Sequence, residues 1–83
     1  MILISYFARY REQLRLGGEK LPLTPALKTI DDVRHLLMAR GELWRDILGE
    51  RNVMCALNQE LCRPDQAIED FDEIAFFPPV TGG

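Results

Sequence analysis

The chain has 83 residues, of which 47% are hydrophobic and 28% charged, with a formal net charge of −3. A chain of that size buries only about 60% of its unfolded surface and can build one small core, which excludes a second domain. The acidic balance excludes the basic surface typical of nucleic-acid binders, and the composition is far from that of disordered chains.

Met1–Ala8 alternates Ile2, Ile4 and Tyr6 against Leu3, Ser5 and Phe7. That period of two, carried by β-branched and aromatic residues, predicts a strand. Arg9–Leu14 predicts a short helical turn, and Gly17-Gly18 a flexible one. Glu19–Thr24 holds Pro22, which has no N–H for a ladder, so it predicts an edge strand. Thr29 stands as the N-cap of the clearest helix, with Asp31 and Asp32 in its first turn, where they suit the helix dipole. Ile30, Val33, Leu36 and Leu37 fall on one face of that helix, and Gly41 is placed to end it in the left-handed conformation. Leu43, Trp44, Ile47 and Leu48 mark a second short helix over Glu42–Leu48, closed by Gly49. Val53–Leu57 is a brief apolar strand, Asn58–Glu60 a hairpin turn, and Leu61-Cys62-Arg63 a very short return strand. Asp70-Phe71-Asp72 forms another turn before the last strand, Glu73–Phe77, which Pro78-Pro79 stops.

This order describes an α+β domain, a sheet with one main helix packed across one face. Strand alternation then assigns the faces. If Ile2, Ile4, Tyr6, Ile74 and Phe76 point at the helix, then Leu3, Phe7, Ala75 and Phe77 point away. Two phenylalanines on a face that nothing in the chain covers imply a partner surface. The alternative is a register shifted by one, with both in the core.

The inventory of reactive side chains is thin. There is one histidine, His35, one serine, Ser5, and two cysteines, Cys55 and Cys62. A serine triad would need the only serine beside the only histidine, and no C-x-x-C pair or glycine-rich phosphate cradle is present. No metal site is expected. Two cysteines make no disulfide framework, so free thiols and a cytoplasmic location are the expectation. Cys55 reads as a buried apolar cysteine. Cys62 can be exposed, with no evident catalytic role. Arg9 and Arg11 cut the opening apolar run far short of a membrane span. Residues 1–40 carry seven Lys/Arg against four Asp/Glu, whereas residues 41–83 carry three against nine. The acidic run over 65–73 reads as a solvated turn region, or as an electrostatic handle for a basic partner.

The ending Phe76-Phe77-Pro78-Pro79-Val80-Thr81-Gly82-Gly83 has mechanical meaning. The strand anchors it, the prolines hold it extended, and Gly82-Gly83 removes side-chain bulk so that a terminal carboxylate can thread a narrow channel. The stretch E-I-A-F-F-P-P-V-T-G-G, the upstream A-L-N-Q turn and the opening F-A-R-x-R-E resemble the molybdopterin synthase small-subunit family of ubiquitin-like sulfur carriers. The resemblance spans essentially the whole chain and is most specific over Asp72–Gly83. It implies the β-grasp fold, a mixed sheet, with residues 1–78 as the domain and 79–83 as a flexible tail.

The resemblance also implies a cycle on the Gly83 carboxylate. An E1-like partner spends ATP to make an acyl-adenylate, and a persulfide sulfur donor displaces AMP to leave a thiocarboxylate. The tail then enters the large synthase subunit, whose residues catalyse sulfur transfer to cyclic pyranopterin monophosphate and form the molybdopterin dithiolene. The chain is then no enzyme on its own, binds no cofactor, and joins a heterotetramer with the large subunit, with neither nucleic acid nor membrane as partner. By position, Gly83 carries sulfur, Thr81 and Gly82 line the inserted tail, and Phe7, Leu61 and Phe77 form an apolar docking patch. Arg11 matches a partner-contacting position, with a plain surface arginine as the alternative. Other readings are a carrier for thiamine or tRNA thiolation, a ubiquitin-like protein modifier, or an interaction domain with an incidental Gly-Gly. One departure concerns the turn before the last strand, commonly D-G-D-E in the family and here Asp70-Phe71-Asp72-Glu73. Phe71 must avoid positive φ there or carry its cost.

Overall fold

The computed structural model describes residues 1–79. Five strands and three helices follow one another as β1 (Ile2–Tyr6), α1 (Ala8–Leu14), β2 (Gly18–Leu21), α2 (Ile30–Met38), α3 (Glu42–Leu48), β3 (Met54–Leu57), β4 (Glu60–Cys62) and β5 (Glu73–Phe77). The sheet runs β2-β1-β5-β3-β4. Its central pair, β1 with β5, is parallel and aligns Ile4 with Ile74 and Tyr6 with Phe76. The other pairings are antiparallel, so the sheet is mixed, with α2 as its main helix: a β-grasp arrangement. Among the described residues no helix is long and apolar enough to cross a membrane.

The predicted alternation holds. Ile2, Ile4, Tyr6, Cys55, Ile74 and Phe76 are buried, and they form one cluster with Ile30, Val33 and Leu37 of α2 and Ile47 and Leu48 of α3. Leu36 departs from the predicted stripe: it lies 48% exposed, because at i+6 from Ile30 it has rotated off the face that Leu37 completes. Leu43 is likewise exposed, and Trp44 only half-buried.

The start of α2 is held from both sides of the chain. Thr29 Oγ1 accepts from Asp32 N (3.2 Å), and Asp32 reaches back to Thr29 N (3.1 Å), so a full capping box forms. Asp32 also accepts from Lys28 N, and these backbone donors hold its carboxyl below the ordinary aspartate value. The remaining free donors, Ile30 N and Asp31 N, find Gln66 O (3.0 Å) and Pro64 O (2.9 Å) in the loop before β5.

Gly41 does not end α2. The last turn closes at Ala39 in ordinary right-handed geometry, and Gly41 instead forms the N-cap of α3 at φ 150°, ψ −177°. That region is open to glycine alone, so the residue type predicted at this boundary serves the next helix. β2 stops at Leu21, one residue before the proline, and lies at the sheet edge as expected.

A closed ring of contacts ties β1, β2 and α3 to the turn between α2 and α3. Tyr6 donates its hydroxyl to Glu19 (2.8 Å), which accepts both guanidinium nitrogens of Arg40 (2.6 and 2.8 Å). The Arg40 guanidinium sits over Trp44, 4.6 Å from the ring centroid, and Trp44 meets the Tyr6 ring edge-on at 5.6 Å. Arg40 draws the Glu19 carboxyl below its usual range, while burial, with Glu19 second, raises the Tyr6 phenol well above its own. Tyr10 is raised in the same way by burial and by its bond to Glu50.

Phe71 adopts φ 69° at the turn before β5, so it occupies the left-handed region and carries the cost. Its N–H donates to Met1 O (2.7 Å), while its ring is 82% exposed and gains little from packing. A non-glycine residue there costs about 1–2 kcal/mol, and glycine gives back roughly 0.5–1 kcal/mol through the unfolded chain. Phe71→Gly is therefore expected to stabilise the domain by about 0.5–1 kcal/mol, raising the melting temperature by roughly 2–8 °C. A lower melting temperature would show that the ring has a structural role.

The raised phenols set an alkaline limit. A group whose folded pKa lies above its unfolded value contributes fully below that unfolded value, and the contribution declines above it until it is lost as pH rises through the folded pKa. Stability is therefore expected to fall above about pH 10, where unfolded tyrosines ionise. The Tyr6→Phe, Tyr10→Phe double variant should be about 1–3 kcal/mol less stable at neutral pH, from two lost bonds to carboxylates. Its alkaline decline, followed by thermal melts at stepped pH, should be shallower. Parallel declines in both proteins would refute the assignment.

Candidate functional site

The uncovered sheet face carries an open groove of about 740 Å³ lined by Phe7, Ala56, Leu61, Ala75, Phe77 and the two prolines Pro78 and Pro79, with Ala8, Gln59 and Glu73 at its margins. Three chain segments far apart in sequence build it. Parallel pairing of β1 with β5 carries Phe7 up beside Phe77, because Tyr6 is already level with Phe76 and Phe7 N donates to Phe76 O (3.1 Å). The chain then turns sharply at Ala8, φ 54°, into α1. Antiparallel pairing adds the other wall: Ala75 lies opposite Ala56, and Ala56 opposite Leu61.

Side-chain size shapes the groove. Ala56 and Ala75 form a low floor, and Phe7, Phe77 and Leu61 stand around it. Phe7 is 47% exposed and Leu61 68%, whereas Ala56 is buried between its neighbours. A Leu or Val at either alanine would fill the depression, because strand neighbours on one face stand only about 5 Å apart. The two prolines at the mouth lie where β5 leaves the sheet.

The β3–β4 hairpin is held rigidly against β5. Its two-residue turn, Asn58-Gln59, has φ of 50° and 71°, the positive pair that matches strand twist. Glu60, expected in the turn, begins β4 instead. Asn58 then locks the turn in place: its amide oxygen accepts from Glu73 N (2.9 Å), its amide nitrogen donates to Asp72 (3.0 Å), and its N–H donates to Glu73 O (2.8 Å). Asp72 in turn accepts from Glu69 N (2.7 Å). Part of the acidic run thus works locally, as hydrogen-bond acceptor to the turn it sits in.

Of the predicted site residues, Phe7, Leu61 and Phe77 come together in one groove. Arg11 does not join them: it projects from α1, and its guanidinium lies over Gly17, where an added Cβ would come within 3.1 Å of Arg11 Cζ. Thr81, Gly82 and Gly83 lie outside the described residues. The floor residue Ala56 and the rim residue Gln59 escaped prediction. The signal for Ala56 was present in the alternation of β3, where a buried Cys55 forces its neighbour onto the other face. Cys55 is buried and Cys62 half-buried, and both are free thiols.

Comparison with known proteins agrees with this geometry. The sulfur carrier subunit of molybdopterin synthase from Haemophilus influenzae is 37% identical over 83 residues, covering the whole of both chains. The fold is similar to that of small archaeal modifier protein 1 of Haloferax volcanii, with a TM-score of 0.77, 21% identity, and coverage of 95% of this chain and 97% of that one. It is also similar to a chain in the complex of subunits 1 and 2 of the molybdopterin-converting factor of Helicobacter pylori, with a TM-score of 0.67, 22% identity, and coverage of 99% and 97%. At such identities both structures speak to the fold alone. The model of the ThiS family matches residues 4–83, nearly the whole chain: this chain belongs to the ThiS family.

Proposed function

We propose that this chain is the sulfur carrier subunit of a molybdopterin synthase, and that its reactive group is the α-carboxylate of Gly83. One observation carries the reading: an apolar groove, walled by Phe7, Leu61 and Phe77, opens where β5 and its two prolines lead out of the sheet. A partner seated in that groove lies beside the point where the last strand leaves the sheet. Full-length identity of 37% to a protein of that name supports the same branch, whereas the likeness to an archaeal modifier, at 21%, bears on the fold only.

A carboxylate is a poor electrophile at neutral pH, so the cycle begins with activation. An E1-like enzyme uses ATP to form the Gly83 acyl-adenylate, which makes AMP the leaving group. The outer sulfur of a donor persulfide displaces AMP to give an acyl disulfide. A second donor thiol then attacks the donor-side sulfur, breaking the S–S bond as a new donor disulfide forms and releasing the thiocarboxylate. The docked carrier presents that sulfur to the large subunit, whose own residues catalyse its transfer to cyclic pyranopterin monophosphate. Holding the sulfur on a docked protein replaces a diffusional encounter with an intramolecular one. Gly82 and Thr81 keep the inserted segment narrow, and the domain contributes recognition and not catalysis. It needs no bound cofactor of its own.

Intact-mass measurement after incubation with ATP, the cognate E1-like enzyme and a sulfur source tests this. A gain equal to one oxygen-for-sulfur exchange is expected on the full chain. A chain lacking Gly83 should gain nothing while melting within about 0.5 kcal/mol of the parent, because terminal residues contribute little to a core. An unchanged mass with all partners present, or loading of the truncated chain, would refute the proposal.

A further inference from the structure

Cys55 and Cys62 are directly opposed on neighbouring antiparallel strands. Their sulfurs lie 3.9 Å apart, and Cys55 Sγ also contacts Cys62 O at 3.4 Å. Cys55 is buried in the core and Cys62, on the edge strand, is half-buried, so Cys62 is the more accessible of the two. They stand seven positions apart on a hairpin whose turn is fixed by Asn58, which keeps the two sulfurs facing each other. β4 is a three-residue strand at the edge of the sheet, held through β3 alone, and it carries the groove residue Leu61 next to Cys62.

We propose that Cys55 and Cys62 are a dithiol modification site, oxidised by hydrogen peroxide or another hydroperoxide to a cross-strand disulfide that staples β4 to β3. Cys62 reacts first because it is accessible. Its sulfur forms a bond to one peroxide oxygen as the O–O bond breaks, and the released hydroxide takes up the thiol proton as water, leaving a sulfenic acid. Cys55 sulfur then attacks Cys62 sulfur and expels hydroxide, which takes the Cys55 proton and leaves as a second water. Two thiols lose two electrons in all, and one peroxide is reduced to two waters. Burial, with the neighbouring Cys62 second, pushes the Cys55 thiol up to about 12, so it is not the entry point; it resolves because its sulfur is held 3.9 Å from that of Cys62. The staple fixes the strand that bears Leu61, on the opposite sheet face from the sulfurs, and a dithiol reductant releases it.

The test uses the reduced full-length chain treated with stoichiometric hydrogen peroxide, followed by intact mass and maleimide counting under denaturing conditions. The expected result is a monomer lighter by two hydrogens, with no alkylatable thiol and both restored by dithiothreitol. Cys55→Ser should instead stop at a dimedone-trappable sulfenic acid on Cys62. Amide exchange in β4 should slow on oxidation. Two remaining thiols, oxygen addition to Cys62 in the parent chain without loss of the Cys55 thiol, disulfide-linked dimers only, or unchanged exchange in β4 would each overturn the proposal. None of these readouts depends on sulfur loading at Gly83.

Discussion

The parallel pairing of β1 with β5 is the constraint on which the rest of the structure depends. With Tyr6 level with Phe76, the alternating residues of both strands enter the core together, and Phe7 and Phe77 emerge together on the other face. A slip of one residue would exchange the two sets and bury neither well. Between the two parallel strands the chain passes from β2 at one side of the pair to β3 at the other, and α2 lies on that passage across the inner face. One register therefore decides which face is core, which is groove, and at which edge of the groove the last strand leaves.

The consequences for function follow from what the domain does not have to provide. A carrier needs a recognisable face and a rigid exit, and both come from backbone pairing instead of reactive side chains. The small floor residues Ala56 and Ala75 turn an exposed apolar surface into a depression. The groove wall is fixed at the opposite end of β5, where Asn58 and Asp72 tie the hairpin and the preceding turn to the start of the strand. The only histidine and serine take no part in this arrangement. The chemistry is assigned to the main chain.

Much of this was legible in the sequence because it is local. Period-two alternation in β1 and β5 marked the outward phenylalanines, and Thr29 marked the start of α2. What escaped depends on contacts between distant residues. The ring of Tyr6, Glu19, Arg40 and Trp44 joins three elements and a turn and has no signature in any one of them. The exposure of Leu36 and Leu43 reflects how far α2 and α3 are rotated, which three or four apolar positions leave undetermined. Gly41 was marked as a glycine-requiring boundary but credited to the wrong helix, since an end and a start lie two residues apart. Phe71 shows tertiary context overriding preference: its N–H bonds to Met1 O while the backbone accepts a positive φ.

The central claim is that one sheet face holds the core and the other receives the partner. Backbone resonance mapping of the labelled full chain, titrated with the large subunit of a molybdopterin synthase, tests it most directly. The largest perturbations are expected at Phe7, Ala56, Leu61, Ala75 and Phe77, continuing into the residues after Pro79, with the solvent side of α2 and α3 unmoved. Perturbations centred on Leu36 and Leu43, with the groove unchanged, would contradict it.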